Sequence, residues 1–92
     1  MPRIISIDYG KKRTGLAVTD ELQIIASGLE TVPTEKLIHF LQNYFQKENV
    51  ESIVIGMPLN LDQRETHATA SVVALKQQLI NLFPENEIFT ID

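Results

Sequence analysis

The sequence contains no cysteine. Without one, the chain cannot form a disulfide, use a thiolate nucleophile or build a thiolate zinc site. The first residues, MPRIISID, also lack the basic start, the long apolar stretch and the small-residue cleavage site of a signal peptide. No apolar run reaches the length that crosses a membrane. These absences predict a cytoplasmic protein without a membrane partner.

Positive charge is scarce, with eight lysines and arginines against twelve acidic residues and a formal net charge of -4. This balance argues against non-specific wrapping of nucleic acid, because phosphate binding depends mainly on lysine and arginine. A site for nucleic acid must therefore find its positive charge locally. The only dense basic cluster is Lys11, Lys12 and Arg13, with Arg3 a little upstream.

The chain has 92 residues, of which 43% are hydrophobic and 22% charged, and this allows one hydrophobic core. We expect a single domain over residues 1–92. Two short runs rich in β-branched residues, at 3–8 and 14–19, are separated by a polar stretch with a glycine, which is typical of a hairpin. A third run, at 24–32, is interrupted by Gly28 and closed by Pro33, which indicates an outer strand.

Helical and strand patterns then alternate along the chain. From Thr34, a residue type suited to cap a helix, apolar residues recur at spacings of three and four. Residues 52–55 predict a buried parallel strand, residues 68–82 a second helix and residues 87–91 a last strand. The predicted fold is α/β, with a mixed five-stranded sheet in which three antiparallel strands are followed by strand-helix crossovers. This order resembles the ribonuclease-H-like superfold, which by itself names no function.

Asp8 ends the predicted first strand, and ligand sites in such sheets gather at strand ends. A carboxylate there is suited to hold magnesium, which prefers oxygen ligands and completes its shell with water and phosphate. The alternative is that Asp8 only opens a turn, since aspartate is common in turns. Position alone leaves both interpretations open.

The basic cluster is bracketed by Gly10 and Gly15, which suit a tight turn or the close approach of a phosphate backbone. Its three cations could hold phosphates beside Asp8 and so position nucleic acid without reading its bases. The alternative is a solvated charge cluster at the tip of a hairpin.

The segment GMPLNLD, residues 56–62, follows the predicted buried strand at the expected ligand-binding edge. Asn60 and Asp62 are candidates for shaping a site, because loops at such edges often carry function. The alternative is ordinary loop chemistry, in which Gly56 and Pro58 serve as turn residues.

Two motifs in combination resemble the YqgF or RuvX family, the group described as Holliday-junction resolvases and as pre-16S rRNA nucleases. The first, IDYGKKRTGLAVTD at residues 7–20, matches the family pattern D-x-G-x-x-R-x-G-x-A-x-x-D. The second is IVIGMPLNLD at residues 53–62. The match covers essentially the whole chain in order and spacing, and it favours a functional role for Asp8 over a turn alone.

The resemblance implies a metal-dependent nuclease that hydrolyses phosphodiester bonds. The implied substrate is pre-16S ribosomal RNA or branched DNA, with the ribosome as a further partner. Asp8 would bind Mg²⁺ or Mn²⁺. The residues implied in nucleic-acid binding are Lys11, Lys12, Arg13, Asn60 and Asp62.

The sequence departs from the family pattern in two places. Gln63 stands where the family usually has a glycine, which alters the turn. The family also continues after its fifth strand with an acidic D-E-R motif, a further helix and a C-terminal aspartate, whereas this sequence stops at Asp92, aligned with the first residue of that motif. We therefore name Asp8 and Asp92 as the catalytic candidates present. We expect this chain alone to lack most of the metal site and so to be impaired in catalysis.

The family's last helix is also missing from this sequence, and its absence would leave part of one sheet face uncovered. A contiguous exposed apolar patch favours association with another surface. We therefore expect self-association of this chain, or a homodimer.

Two other functions stay open at this point. An ATP-binding domain of the actin and hexokinase type also opens with an Asp-x-Gly hairpin, although such proteins need a second lobe that this short chain cannot supply. A non-catalytic module that binds nucleic acid or the ribosome would keep the fold without a complete set of acids.

Overall fold

A computed structural model describes residues 2–19, 26–56 and 67–91 of the chain. It has the α/β architecture that the sequence predicts, with a five-stranded mixed sheet of the ribonuclease-H-like type. The elements in chain order are β1 (Arg3–Asp8), β2 (Arg13–Thr19), β3 (Ala26–Pro33), a 3-10 helix (Thr34–Lys36), α1 (Leu37–Lys47), β4 (Val50–Gly56), α2 (His67–Leu82) and β5 (Glu87–Ile91).

The strands lie in the order β3-β2-β1-β4-β5, so β1 is central. Strands β1, β2 and β3 form an antiparallel meander, whereas β4 pairs parallel to β1 and β5 parallel to β4. Parallel neighbours need a crossover, and α1 and α2 provide the two connections. Asp8 and Gly56 therefore meet at the carboxyl edge of the parallel strands.

One face of the sheet packs against both helices. Ile5 and Ile7 of β1 are fully buried, and the residues between and after them, Ser6 and Asp8, are exposed. This alternation follows from the period of two in a strand, which sends successive side chains to opposite faces. Burying each large aliphatic side chain contributes about 1.5–3 kcal/mol. The core cluster comprises Ile5, Ile7, Leu16, Val32, Leu37, Leu41, Val50, Ile53, Ile55, Val72, Leu75 and Leu79.

The opposite face carries Ser6 and Asp8, and we call it the open face. Phe89 shares a row with Ser6 through Val54, and Ile91 shares a row with Asp8 through Gly56. Phe89 is 46% exposed and Ile91 56% exposed. Among the residues that the structure describes, no helix meets the size and hydropathy required to span a membrane.

Gly28 interrupts β3, as the sequence predicts, through a bulge. Ala17 pairs with Gly28 and Leu16 with Glu30, so Leu29 is the extra residue on β3. A bulge bends its strand and strengthens the local twist. Residues 24 and 25, where the sequence predicts the start of this strand, lie outside the described residues.

The prediction that Thr34 caps the first helix is wrong. Thr34 opens the 3-10 helix, and α1 begins at Leu37 without a side-chain cap at its N-terminus. The physical reason is that the Thr34 hydroxyl donates to the backbone carbonyl of Gly10 across the sheet edge. The same hydroxyl oxygen lies 2.8 Å from the Thr14 hydroxyl, so its hydrogen bonds are made to the hairpin and none to the first N–H groups of α1.

Candidate active site

Asp8 stands at the carboxyl end of the central strand, between two glycines. Its partner on β2 is Gly15 and its partner on β4 is Gly56. A β-carbon built on Gly15 would lie 3.8 Å from that of Asp8, and one built on Gly56 would lie 3.7 Å from the carbonyl oxygen of Ile7. Because neither neighbour has a side chain, the exposed Asp8 carboxylate is open on both flanks.

This arrangement corrects the prediction that Gly15 serves a turn. Gly15 is the third residue of β2 and lies inside the strand. Gly56 is the last residue of β4, so it also belongs to a strand in this structure. The sequence does not reveal strand register, and register is what brings both glycines beside Asp8.

A shallow cavity of about 430 Å³ opens beside Asp8 on the open face. The lining residues with oxygen-bearing side chains on this face are Asp8, Ser6 and Thr31. Oxygen donors of these types suit a hard cation such as Mg²⁺. Within the described ranges, no group of three or more acidic or histidine side chains is placed to hold a metal ion. Asp8 is therefore a suitable single ligand and needs other oxygens to complete a metal shell.

The basic tip, which we define as Lys11, Lys12 and Arg13, follows Asp8 closely along the chain. All three side chains are exposed. Gly10 sits directly before the tip, and a β-carbon there would overlap the carbonyl oxygen of Arg13. A side chain at Gly10 would therefore force the hairpin backbone to shift. The tip therefore places three exposed cations just beyond Asp8 along the chain.

Two threonines tie the tip to the body of the protein. Thr34 donates its hydroxyl to the Gly10 carbonyl at 2.6 Å, and its backbone N–H donates to the Lys12 carbonyl at 2.9 Å. The hydroxyls of Thr14 and Thr34 lie 2.8 Å apart. We call Thr14 and Thr34 the threonine clasp.

Sequence reasoning missed the clasp, although one signal was available. Thr14 shares the inward-facing alternation of β2 with Leu16 and Val18, and it is fully buried. A threonine in an otherwise apolar inward series requires a hydrogen-bond partner, because an unpaired buried hydroxyl is unfavourable. That partner, Thr34, is 20 residues away in the sequence.

The other predicted site residues lie outside the described residues. They are Pro58, Asn60, Asp62 and Asp92. The structure therefore brings together Asp8, Gly10, Gly15, Gly56 and the basic tip.

Residues 2–92 match a family model described as RuvX, Holliday junction resolvase. A protein of Flavobacterium johnsoniae is 49% identical over 92 residues, which cover 100% of this chain and 67% of the relative. A protein of Phocaeicola vulgatus is 47% identical over 92 residues, covering 100% of this chain and 66% of the relative. Both relatives carry the name "Putative pre-16S rRNA nuclease". The chain thus spans about two thirds of their length.

Two solved structures share the fold at low sequence identity. YeaZ from Pseudomonas aeruginosa aligns with a TM-score of 0.60 at 10% identity, covering 100% of this chain and 43% of that protein. Pelota from Archaeoglobus fulgidus aligns with a TM-score of 0.61 at 9% identity, covering 99% of this chain and 26% of that protein. These likenesses support the fold alone.

Proposed function

The chain belongs to the RuvX family, and from that membership we propose that it contributes the first part of a metal-dependent nuclease that hydrolyses phosphodiester bonds in nucleic acid. The observation that carries the proposal is the placement of Asp8. Its carboxylate is exposed at the end of the central strand, is open on both flanks and is followed by three cations. A phosphodiester needs this combination of a carboxylate for a cation and positive charge for its backbone.

Each residue has a distinct role in this proposal. Asp8 would bind Mg²⁺ or Mn²⁺ through its carboxylate oxygens, and the basic tip would hold backbone phosphates. When bound, the metal would supply an activated water and neutralise charge on the phosphate oxygens. We propose Asp92 as a second catalytic acid, and Asn60 and Asp62 as residues that shape the site. Phosphate contacts of this kind position a substrate without selecting its bases.

Among nucleic acids, we propose precursor 16S ribosomal RNA as the substrate, because the relatives are named for it. Processing of that RNA would place the protein in the cytoplasm and in contact with the ribosome. The family description names Holliday junctions, so branched DNA is the second candidate. Cleavage of one substrate and not the other by the whole protein would decide between them.

The test of the metal role is an amide NMR titration of this chain with trace Mn²⁺. We expect signals near Asp8 to broaden in the wild type and to stay sharp in Asp8→Asn, because the variant loses the charged oxygens that hold the cation. Glu87→Gln is the matched control, since Glu87 is an exposed carboxylate at the opposite edge of the parallel strands. Equal broadening in Asp8→Asn and the wild type would contradict the proposal.

The same samples separate the alternative functions. RNA binding without any response to Mn²⁺ would favour a non-catalytic binding module. Tight binding of Mg-ATP would favour an ATP-binding domain of the actin and hexokinase type instead of a nuclease.

A further inference from the structure

The threonine clasp has a defined direction of hydrogen bonding. A threonine hydroxyl has one hydrogen to donate. Thr34 gives its hydrogen to the Gly10 carbonyl at 2.6 Å, so the hydrogen between the two hydroxyls, 2.8 Å apart, comes from Thr14. The result is a relay from Thr14 through Thr34 to Gly10. Chains of this kind polarise one another and strengthen each bond.

The clasp fixes the backbone of the hairpin on both sides of Lys11. The Gly10 carbonyl accepts from the Thr34 hydroxyl, and the Lys12 carbonyl accepts from the Thr34 N–H at 2.9 Å. With both carbonyls held by one residue, the segment between them cannot swing away from the sheet edge. Fixing charged groups before binding lowers the ordering cost of association.

Filling space in the core would not require a hydroxyl at Thr14. Thr14 is fully buried in a series whose other members, Leu16 and Val18, are apolar. Valine has nearly the shape of threonine and would fill the same space without the desolvation of a hydroxyl. No buried side-chain nitrogen or oxygen among the described residues lacks a partner, so the hydroxyl is retained and satisfied.

We propose that Thr14 and Thr34 are positioning residues, which hold the basic tip at a fixed place beside Asp8 so that backbone phosphates bind there without prior ordering of the hairpin. This inference rests on the proposed function of the tip. The two threonines act on nucleic acid through the tip and have no direct role in catalysis.

The test measures binding of a single-stranded RNA oligonucleotide to this chain by fluorescence anisotropy at several salt concentrations. For single strands, each phosphate contact changes the slope of log K against log salt by about 0.7, which is about fivefold in affinity at 0.1 M salt. We expect Thr34→Val to lose roughly one such contact, so that it binds the RNA about fivefold more weakly than the wild type at 0.1 M salt and its slope is about 0.7 smaller. Thr34→Ser keeps the hydroxyl and should stay within about twofold of the wild type.

Thr19→Val is the matched control for stability. Thr19 ends the same strand, β2, and its hydroxyl oxygen accepts from the Ile4 N–H at 2.9 Å, so this variant also loses a hydrogen bond to the backbone. We expect Thr19→Val to keep the wild-type affinity and slope. An unchanged slope in Thr34→Val, or an equal loss in Thr19→Val, would overturn the inference.

A second readout separates this inference from the proposed function. Replacing all three residues of the basic tip with alanine should reduce the slope of log K against log salt. If the wild type bound RNA without any salt dependence, the proposed binding of phosphates by the tip would be contradicted. Backbone order parameters of the tip decide the positioning role in either case. They should fall in Thr34→Val and recover in Thr34→Ser, and unchanged order in Thr34→Val would overturn the clasp even if no variant bound RNA.

Discussion

Replacing Gly10 with alanine should destabilise the protein far more than the same change at Gly28. A β-carbon on Gly10 would overlap the carbonyl oxygen of Arg13, which is backbone and cannot rotate away. A β-carbon on Gly28 would meet nothing within 4 Å. Overpacking a tight site costs typically about 1–3 kcal/mol. Alanine in place of an unhindered glycine is neutral or stabilises by about 0.4–1 kcal/mol, because it restricts the unfolded chain.

The difference between the two variants is large enough to measure. A chain of this size has a free energy of unfolding of about 5–14 kcal/mol, and 1 kcal/mol shifts its melting temperature by about 4–8 °C. We therefore expect Gly10→Ala to melt roughly 8–16 °C below the wild type for a loss of about 2 kcal/mol. Thermal and urea unfolding followed by circular dichroism would measure both variants. If Gly10→Ala and Gly28→Ala unfolded together, the close packing of the hairpin against Arg13 would be refuted.

Two further predictions concern Tyr44 of α1 and the edge strand β5. The pKa of Tyr44 is raised above 10.0 by burial and by the charge of Glu48, with Arg3 acting in the opposite direction. Because the pKa of Tyr44 is higher in the folded state than in the unfolded state, its contribution to the free energy of unfolding is complete below about pH 10 and is lost as pH rises through the folded pKa. Tyr44→Phe should remove this pH dependence, which urea unfolding at alkaline pH would measure. Because Phe89 and Ile91 are exposed on the edge strand β5, we expect the chain to self-associate. Replacing both residues with lysine should abolish the association, which sedimentation would measure. A compact wild-type monomer at high concentration would contradict this.

Most of the fold was predictable because its causes are local. The run of β-branched residues at 3–8 predicts a strand, and apolar spacings of three and four predict α1. The order of these elements then limits the topology, since parallel strands need crossovers. The bulge at Leu29 shows how an interruption next to Gly28 is accommodated on the outer strand.

The errors have a common physical origin in contacts between distant parts of the chain. Thr34 looks like a helix cap because it follows Pro33 and precedes an apolar series, but its hydroxyl is bound to Gly10, 24 residues away. Gly15 looks like a turn residue because it follows the basic tip, but it pairs with Asp8 inside β2. Local preference predicts what a residue can do, and the tertiary partner decides which option is used.

The candidate site depends on fewer residues than the fold does. Solved structures at 9% and 10% identity share the architecture, so many different apolar sequences satisfy the requirements of the sheet and its helices. Relatives at 41% and 49% identity share a family and a name. Side chains at the sheet edge must therefore carry any activity, since a shared fold alone implies none. In the proposed function those side chains are Asp8, which would hold a cation, and the clasped basic tip, which would hold the backbone phosphates.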